Sequence, residues 1–431
     1  MSLAFLICLL AVFVLGAIGT PVGYALLASA TVYLAVTGSD LSLAAEQLIQ
    51  SIYDGYILLA VPLFIIAANM MNAGTVSERL LNFCVALVGR FRGGLGHVNI
   101  VSSLIFAGMS GSAVADAAGI GKIIIGMMTR DGRYRPGYAA AVTAASATIG
   151  PIIPPSIPMV MYALISNQSI GYLFLAGVVP GFLMALVLMI MNHTMAVRMK
   201  VRLEPAVPLR ALPRKTFGAI PVLLMPVILL GGIYGGATTP TEAASIAALY
   251  ALILSVVVYR ALSWGDFYRQ VVDSARQAAT VGIVIGCALI FNYIVASENI
   301  PNLLQAWLAD LDISPLTFLL IVNVMLLGFG CLLDATTIIL VILPLFIPTC
   351  QALGIDLVHF GVVAVVNAMI GLITPPYGML LFVINAVTGI PLREIIVNVL
   401  PFLIALLAAL VLLTLFPGLS LWLPRQFGYV G

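Results

Sequence analysis

Charge is what this sequence has least of. Only 8% of its 431 residues are Asp, Glu, Lys or Arg, against about a quarter in soluble domains. A chain this poor in charge and 62% hydrophobic has too little polar surface for a soluble globular protein. The net charge of +2 signals no nucleic-acid partner, because the positive residues sit in short loops. Cys8, Cys84, Cys287, Cys331 and Cys350 form no C-x-x-C pair, so neither a disulfide framework nor a zinc site is indicated. The three histidines, His97, His193 and His359, are scattered. No P-loop, H-E-x-x-H, Ser–Lys dyad or paired-Asp span motif is present, which argues against direct ATP drive and against an intramembrane enzyme. The first charged residue is Asp40, so the N-terminus lacks the basic region of a cleaved signal peptide.

What is present is a series of apolar runs near twenty residues, the signature of an all-α polytopic membrane protein. Barrel strands would alternate apolar and polar residues, and these runs do not. Spans are expected near 2–37, 55–72, 137–165, 170–196, 217–236, 240–260, 278–297, 360–388 and 395–416. The first carries "GTPVG" near its middle and fits either one bent helix or two short ones. Two further stretches are interrupted, one by "GMSGSAVADAAG" (108–119) and one by "GFGCLLDATT" (328–337). Their arms, at about 10–14 residues, are shorter than the roughly 20 needed to cross. Each is expected to enter and return on one side, as a re-entrant hairpin. Such backbone is tolerated at membrane depth only inside protein or against water.

The basic residues give orientation. Arg90, Arg92, Arg130, Arg133 and Arg135 flank the first hairpin, and Arg198, Lys200, Arg202, Arg210, Arg214 and Lys215 fill the loop after the fourth span. The second hairpin is flanked by Asp310, Asp312, Asp356 and His359. The positive-inside rule places the first hairpin on the cytoplasmic side and the second on the periplasmic side.

A shift of 221 residues lays "IGPIIPPS" (149–156) on "IGLITPPY" (370–377), Ser146 on Asn367, and Pro180 on Pro401. Five spans separate the starts of the two units, so they are inverted repeats. The chain divides into an N-terminal segment (1–54), repeat 1 (55–200, hairpin about 97–129), connecting spans (201–277) and repeat 2 (278–417, hairpin about 316–349). Inverted repeats with broken helices are a secondary-transporter design, with the binding site at the breaks. Proline removes backbone donors, and the carbonyls so freed can hold a cation.

Several side chains are candidates within this frame. A carboxylate in an apolar hairpin points to function, which singles out Asp116 and Asp334; either also suits a helix cap at a hairpin tip. Ser110 and Ser112 can serve a site or bond back to their own helix. Ser146 and Asn367, matched by the repeat, are substrate or hairpin candidates. In "GATTPTEAAS" (236–245), Thr241 and Glu242, just after Pro240, read mainly as a tight turn capping the next helix.

"GMSGSAVADAAGIG", "IGPIIPPSIPMVMYA", "GGATTPTEAASIAALYAL", "LLDATTIILVILPLFIP" and "GLITPPYGMLLFV" together resemble the large membrane subunit of the tripartite ATP-independent periplasmic (TRAP) transporters. The resemblance runs over nearly the whole chain. It implies a bacterial inner-membrane carrier driven by a sodium gradient, with an elevator fold. No other cofactor is implied. It also implies two partners: a small four-helix membrane subunit, expected as a separate polypeptide, and a periplasmic protein that delivers an organic acid. Carried onto this sequence, the first sodium site comprises Ser110 or Ser112 with carbonyls of Gly150, Ile153 and Pro155. The second comprises Gly328 or Gly330 with Gly371, Thr374 and Tyr377. Leu332 and Leu333 stand at the second tip where the first has small residues, which sets the two sites apart.

A stand-alone sodium/carboxylate carrier is the alternative; a channel or an intramembrane enzyme fits less well. The basic loops predict an orientation that single cysteines can report. An impermeant thiol reagent applied to intact cells should label residues in 350–358 and spare those in 130–136 and 198–215. Labelling of the 198–215 loop from outside would overturn both the topology and the inversion of the repeats.

Overall fold

The computed structural model describes residues 2–54, 56–72, 75–201, 212–309 and 313–431. Every regular element among them is helical. The opening apolar run forms two helices, α1 (Leu3–Ala17) and α2 (Val22–Thr37), which pack on each other. The chain turns between them at Gly19, whose φ of +86° only glycine adopts easily. Glu298 pins this pair, accepting from the Ser2 N–H at 3.0 Å and the Tyr33 hydroxyl at 2.9 Å.

Helix α3 (Ser42–Asp54) leads to α4 (Ala60–Met71) and α5 (Thr75–Val88). The span expected at 55–72 thus contains an α-helix of 12 residues, about 18 Å long. A 72° bend separates it from Val76–Val88. Helix α5 is amphipathic, so no apolar run announced it.

The first hairpin enters along α6 (Gly94–Ser110) and returns through α7 (Ala113–Asp116), a π-helical turn (Ala117–Gly121) and α8 (Lys122–Thr129). The entering arm has 17 residues, longer than expected, because the glycine-rich root at 94–97 joins the helix. Length alone therefore does not make this a hairpin. The packing of α8 and the π turn back onto α6 does.

The first broken helix comprises α9 (Pro136–Ala147) and α10 (Ile157–Ser166), followed by α11 (Ile170–Arg198). The connecting spans are α12 (Leu212–Tyr234) and α13 (Pro240–Ile253). A capping box between Thr239 and Glu242 starts α13. Helix α14 (Trp264–Ser297) runs unbroken for 34 residues, about 51 Å, straight through residue 278.

Repeat 2 continues with α15 (Ile300–Ala309) and α16 (Pro315–Gly330). Its hairpin returns through α17 (Ala335–Thr337), a π turn (Ile338–Ile342), a 3-10 turn (Leu343–Leu345) and α18 (Ile347–Ala352). The second broken helix is α19 (Leu357–Gly371) and α20 (Met379–Thr388). Helices α21 (Leu392–Leu415) and α22 (Gly418–Gln426) end the chain. The 221-residue shift carries the π turn 117–121 onto 338–342 and the Pro154–Pro155 bond onto Pro375–Pro376, both of them cis. Asp310, Asp312, Arg202 and Arg210 lie outside the described residues.

The helices entering the two breaks sit at the centre. Residues 137–147 of α9 and 358–371 of α19 are buried on every side. Alanine and glycine in α9 let its backbone approach α6 and α21 closely. Asn192 of α11 fixes the hairpin root, bonding the Tyr138 hydroxyl at 2.6 Å and the Gly93 carbonyl at 3.1 Å.

Candidate functional site

At the first break the proline pattern decides which backbone groups are left open. Pro154, Pro155 and Pro158 have no N–H for the carbonyls four residues earlier, those of Gly150, Pro151 and Pro154. The Pro151 carbonyl is recovered by the Ser156 hydroxyl, and Ser156 also caps α10 by accepting from the Met159 N–H at 3.2 Å. Among the described residues, no backbone N–H bonds the carbonyls of Gly150, Ile153 or Pro155.

The tip of the first hairpin closes on this segment. Helix α6 ends at Ser110, and Gly111 follows at φ +58°. A Cβ at Gly111 would lie 2.4 Å from the Pro155 carbonyl oxygen, and one at Gly150 would lie 3.6 Å from the Ser112 carbonyl oxygen. Ser110 is fully buried. Ser112 caps α7, its hydroxyl accepting from the Ala115 N–H at 3.3 Å. The structure therefore brings the Ser110–Ser112 tip to Gly150 and Pro155. The Ile153 side chain packs beneath Gly181 of α11.

The second break repeats the plan with different contacts. Gly330 and Gly371 meet backbone to backbone: a Cβ at Gly330 would lie 2.8 Å from the Gly371 Cα. Gly328 is exposed and a Cβ there would meet nothing within 4 Å, so Gly330 is the glycine that reaches the break. The Thr374 hydroxyl donates to the Ile370 carbonyl at 2.8 Å, leaving its lone pairs open. The Gly371 carbonyl accepts the Thr374 N–H at 3.0 Å. Cys331 places its thiol 3.5 Å from the Pro375 carbonyl, whereas Leu332 points outward at 69% exposure. Tyr377 is half exposed, its ring centroid 4.9 Å from that of Phe382.

The two acidic candidates part company. Asp334 is the N-cap of α17, accepting from the Thr336 and Thr337 N–H groups at 3.0 and 3.3 Å and from the Thr337 hydroxyl. Asp116 is 1% exposed, and neither carboxylate oxygen has a hydrogen-bond partner. It closes α7 immediately before the π turn, a device that often marks functional helices.

Ser146 and Asn367 occupy matched positions and do matched work. The Ser146 hydroxyl lies 3.1 Å from that of Ser103 and 3.2 Å from Asn99 Oδ1, binding α9 to α6. Asn99 in turn donates to the Thr143 hydroxyl at 2.6 Å. Asn367 donates to the carbonyl and Oδ1 of Asn323, at 2.9 and 2.8 Å, binding α19 to α16. Both lie at 0% exposure, so in this conformation they tie hairpin to broken helix. Asn99, Ser103, Thr143 and Asn323 were not singled out in the sequence. The signal for the first three was polar residues three or four apart on apolar helices, Asn99 with Ser103 and Thr143 with Ser146; Asn323 is a lone polar residue in an apolar run.

Among the described residues no three His, Cys, Asp or Glu side chains gather as a metal site. The oxygens at the breaks are carbonyls and hydroxyls, hard donors of the kind an alkali cation prefers over thiolate or imidazole.

Residues 9–419 match the family described as "Tripartite ATP-independent periplasmic transporter, DctM component". This chain belongs to that family. The permease is 42% identical over 413 residues to the sialic acid TRAP transporter large permease protein SiaM of Vibrio cholerae, covering 95% of this chain and 96% of the relative. It is 41% identical over 375 residues to the C4-dicarboxylate TRAP transporter large permease protein DctM of Pseudomonas aeruginosa, covering 87% and 88%. These relatives are named as transport permeases, not enzymes. The solved Alcanivorax borkumensis YdaH transporter, described as having an unusual topology, superposes with a TM-score of 0.64 over 88% of this chain and 89% of its own. Its 16% identity speaks to the fold alone. The permease is a multi-pass membrane protein and a large component of a TRAP transporter.

The glycine contact at the second break can be tested directly. Gly330→Ala forces backbone apart at Gly371, and overpacking of this kind costs about 1–3 kcal/mol. Gly328→Ala meets open space and should stay within about 0.5 kcal/mol. Thermal unfolding of the purified permease should therefore fall for Gly330→Ala alone; equal behaviour of both variants would remove the close contact.

Proposed function

We propose that this permease carries an organic acid across the bacterial inner membrane, driven by a sodium gradient. It works with a small four-helix membrane subunit and a periplasmic substrate-binding protein. The relatives' names supply the substrate class, since sialic acid and C4-dicarboxylates are both organic acids. The observation that carries the sodium reading is the set of open carbonyls at Gly150, Ile153 and Pro155, faced by the Ser110–Ser112 tip. Sodium needs several hard oxygen ligands, and this segment offers them within a few residues. Gly330, Gly371, Thr374 and Tyr377 form the second candidate site. The buried carboxyl of Asp116 lies in the same hairpin as the first site.

The transport step we propose is an elevator movement. The two hairpins and two broken helices form one body, tied internally by Ser146–Ser103 and Asn367–Asn323. That body moves against α12, α13 and the long α14. Broken helices serve this motion because ion and substrate then travel with the moving body.

Sodium-dependent uptake tests the assignment. Ser110→Ala and Thr374→Val each remove one hydroxyl ligand. Losing one buried polar contact costs about 1–3 kcal/mol, so the sodium concentration for half-maximal uptake should rise roughly 5- to 150-fold. Uptake is measured in proteoliposomes containing the permease, small subunit and binding protein, normalised to inserted protein. Unchanged half-saturation in both variants removes these residues from the sites. Robust uptake by this chain alone would favour a stand-alone carrier.

A further inference from the structure

Away from the breaks, three cations meet in one cavity, and among the described residues that line it none is acidic. Arg79 of α5 and Arg214 and Lys215 of α12 line a space of about 360 Å³, together with Asn82 and Gly218. Among the described residues none of the three makes an ion pair. Arg79 is held rather than free: its guanidinium lies 4.6 Å from the Tyr259 ring centroid, a cation–π geometry. Tyr259 in turn donates its hydroxyl to the Gly218 carbonyl at 3.1 Å. The aromatic ring thus positions one cation, and the α12 backbone positions the ring.

The surroundings say where the anion comes from. Around this end of the molecule Phe217, Trp264 and Tyr268 are 72%, 84% and 71% exposed. Exposed aromatics of this kind mark the boundary between hydrocarbon and headgroups. Beyond Tyr259 on the same chain segment runs an apolar groove of about 430 Å³, walled by Ile253, Val256, Val257, Leu262 and Trp264. Arg214 and Lys215 belong to the basic segment that the positive-inside rule assigns to the cytoplasm, where the leaflet is rich in anionic lipid. A cationic cavity at headgroup level near an apolar groove complements a phosphate ester with acyl chains.

We propose that Arg79, Arg214 and Lys215 form a binding site for the headgroup of an anionic phospholipid of the cytoplasmic leaflet. The site bridges α5, which leads into the root of the first hairpin, and α12, which belongs to the connecting spans. A lipid seated there fastens the arm of one to the wall of the other. A plain topology signal would attract anionic lipid diffusely and would not depend on these three residues.

Native mass spectrometry of the purified full-length permease, with its small subunit where the two co-purify, tests this. Dioleoylphosphatidylglycerol and dioleoylphosphatidylcholine are added at equal concentration. The site predicts retention of phosphatidylglycerol over phosphatidylcholine. Arg79→Gln, Arg214→Gln and Lys215→Gln should each lower that retention about fivefold, the effect of one basic residue near a charged membrane. Arg79 and Arg214 are exposed and Lys215 is half-buried, and thermal unfolding of each variant checks that the fold is intact. The control is Arg269→Gln with Arg276→Gln, two exposed cations of α14 that face Asp266 and Asp273; it should retain the lipid. Inorganic phosphate in large molar excess should not displace it. Equal loss in the control, no preference for phosphatidylglycerol, or displacement by inorganic phosphate would each overturn the proposal.

Discussion

A backbone carbonyl in the middle of a membrane protein must find a partner, and this fold is organised around two places where prolines withhold one. An unmet polar group in hydrocarbon costs several kcal/mol. Pro154, Pro155 and Pro158 create that demand in repeat 1, and Pro375 and Pro376 create it in repeat 2. Everything near the breaks answers it in part. Ser156 recovers the Pro151 carbonyl, Leu380 N–H recovers that of Leu372, and the Cys331 thiol approaches that of Pro375. Among the described residues no backbone N–H answers the carbonyls of Gly150, Ile153 and Pro155. Burial of α9 and α19 on all sides keeps lipid away from the helices that enter both breaks.

The two halves share a plan and differ in chemistry. Gly111 lets the first tip touch Pro155, whereas Gly330 and Cys331 make the second contact while Leu332 turns outward. Asp116 falls on Thr337 under the repeat shift, and Asp334 falls on Ala113. One hairpin thus keeps a buried, unpartnered carboxylate and the other uses its carboxylate as a helix cap.

The breaks, tips and repeats were legible because glycine and proline act locally: a missing N–H or a positive φ is a property of one residue. Helices α5 and α15 escaped notice because amphipathic segments leave no apolar run. The full length of α14 was hidden because its first turns carry Asp266, Arg269 and Asp273 on an exposed face. The Ser146–Asn99 contact joins residues 47 apart, and the choice of Gly330 over Gly328 depends on which side of α16 faces Gly371. Such facts belong to packing, which no spacing along the chain announces.

The central claim is that the open oxygens at the breaks bind sodium. A ligand that binds the folded state stabilises it by an amount set by its concentration relative to Kd, about 2.7 kcal/mol at a hundredfold excess. Thermal unfolding of the purified permease should be followed in sodium chloride and in choline chloride at equal ionic strength. The account predicts a saturable rise in unfolding temperature with sodium alone. Identical unfolding temperatures in the two salts at every concentration would contradict it.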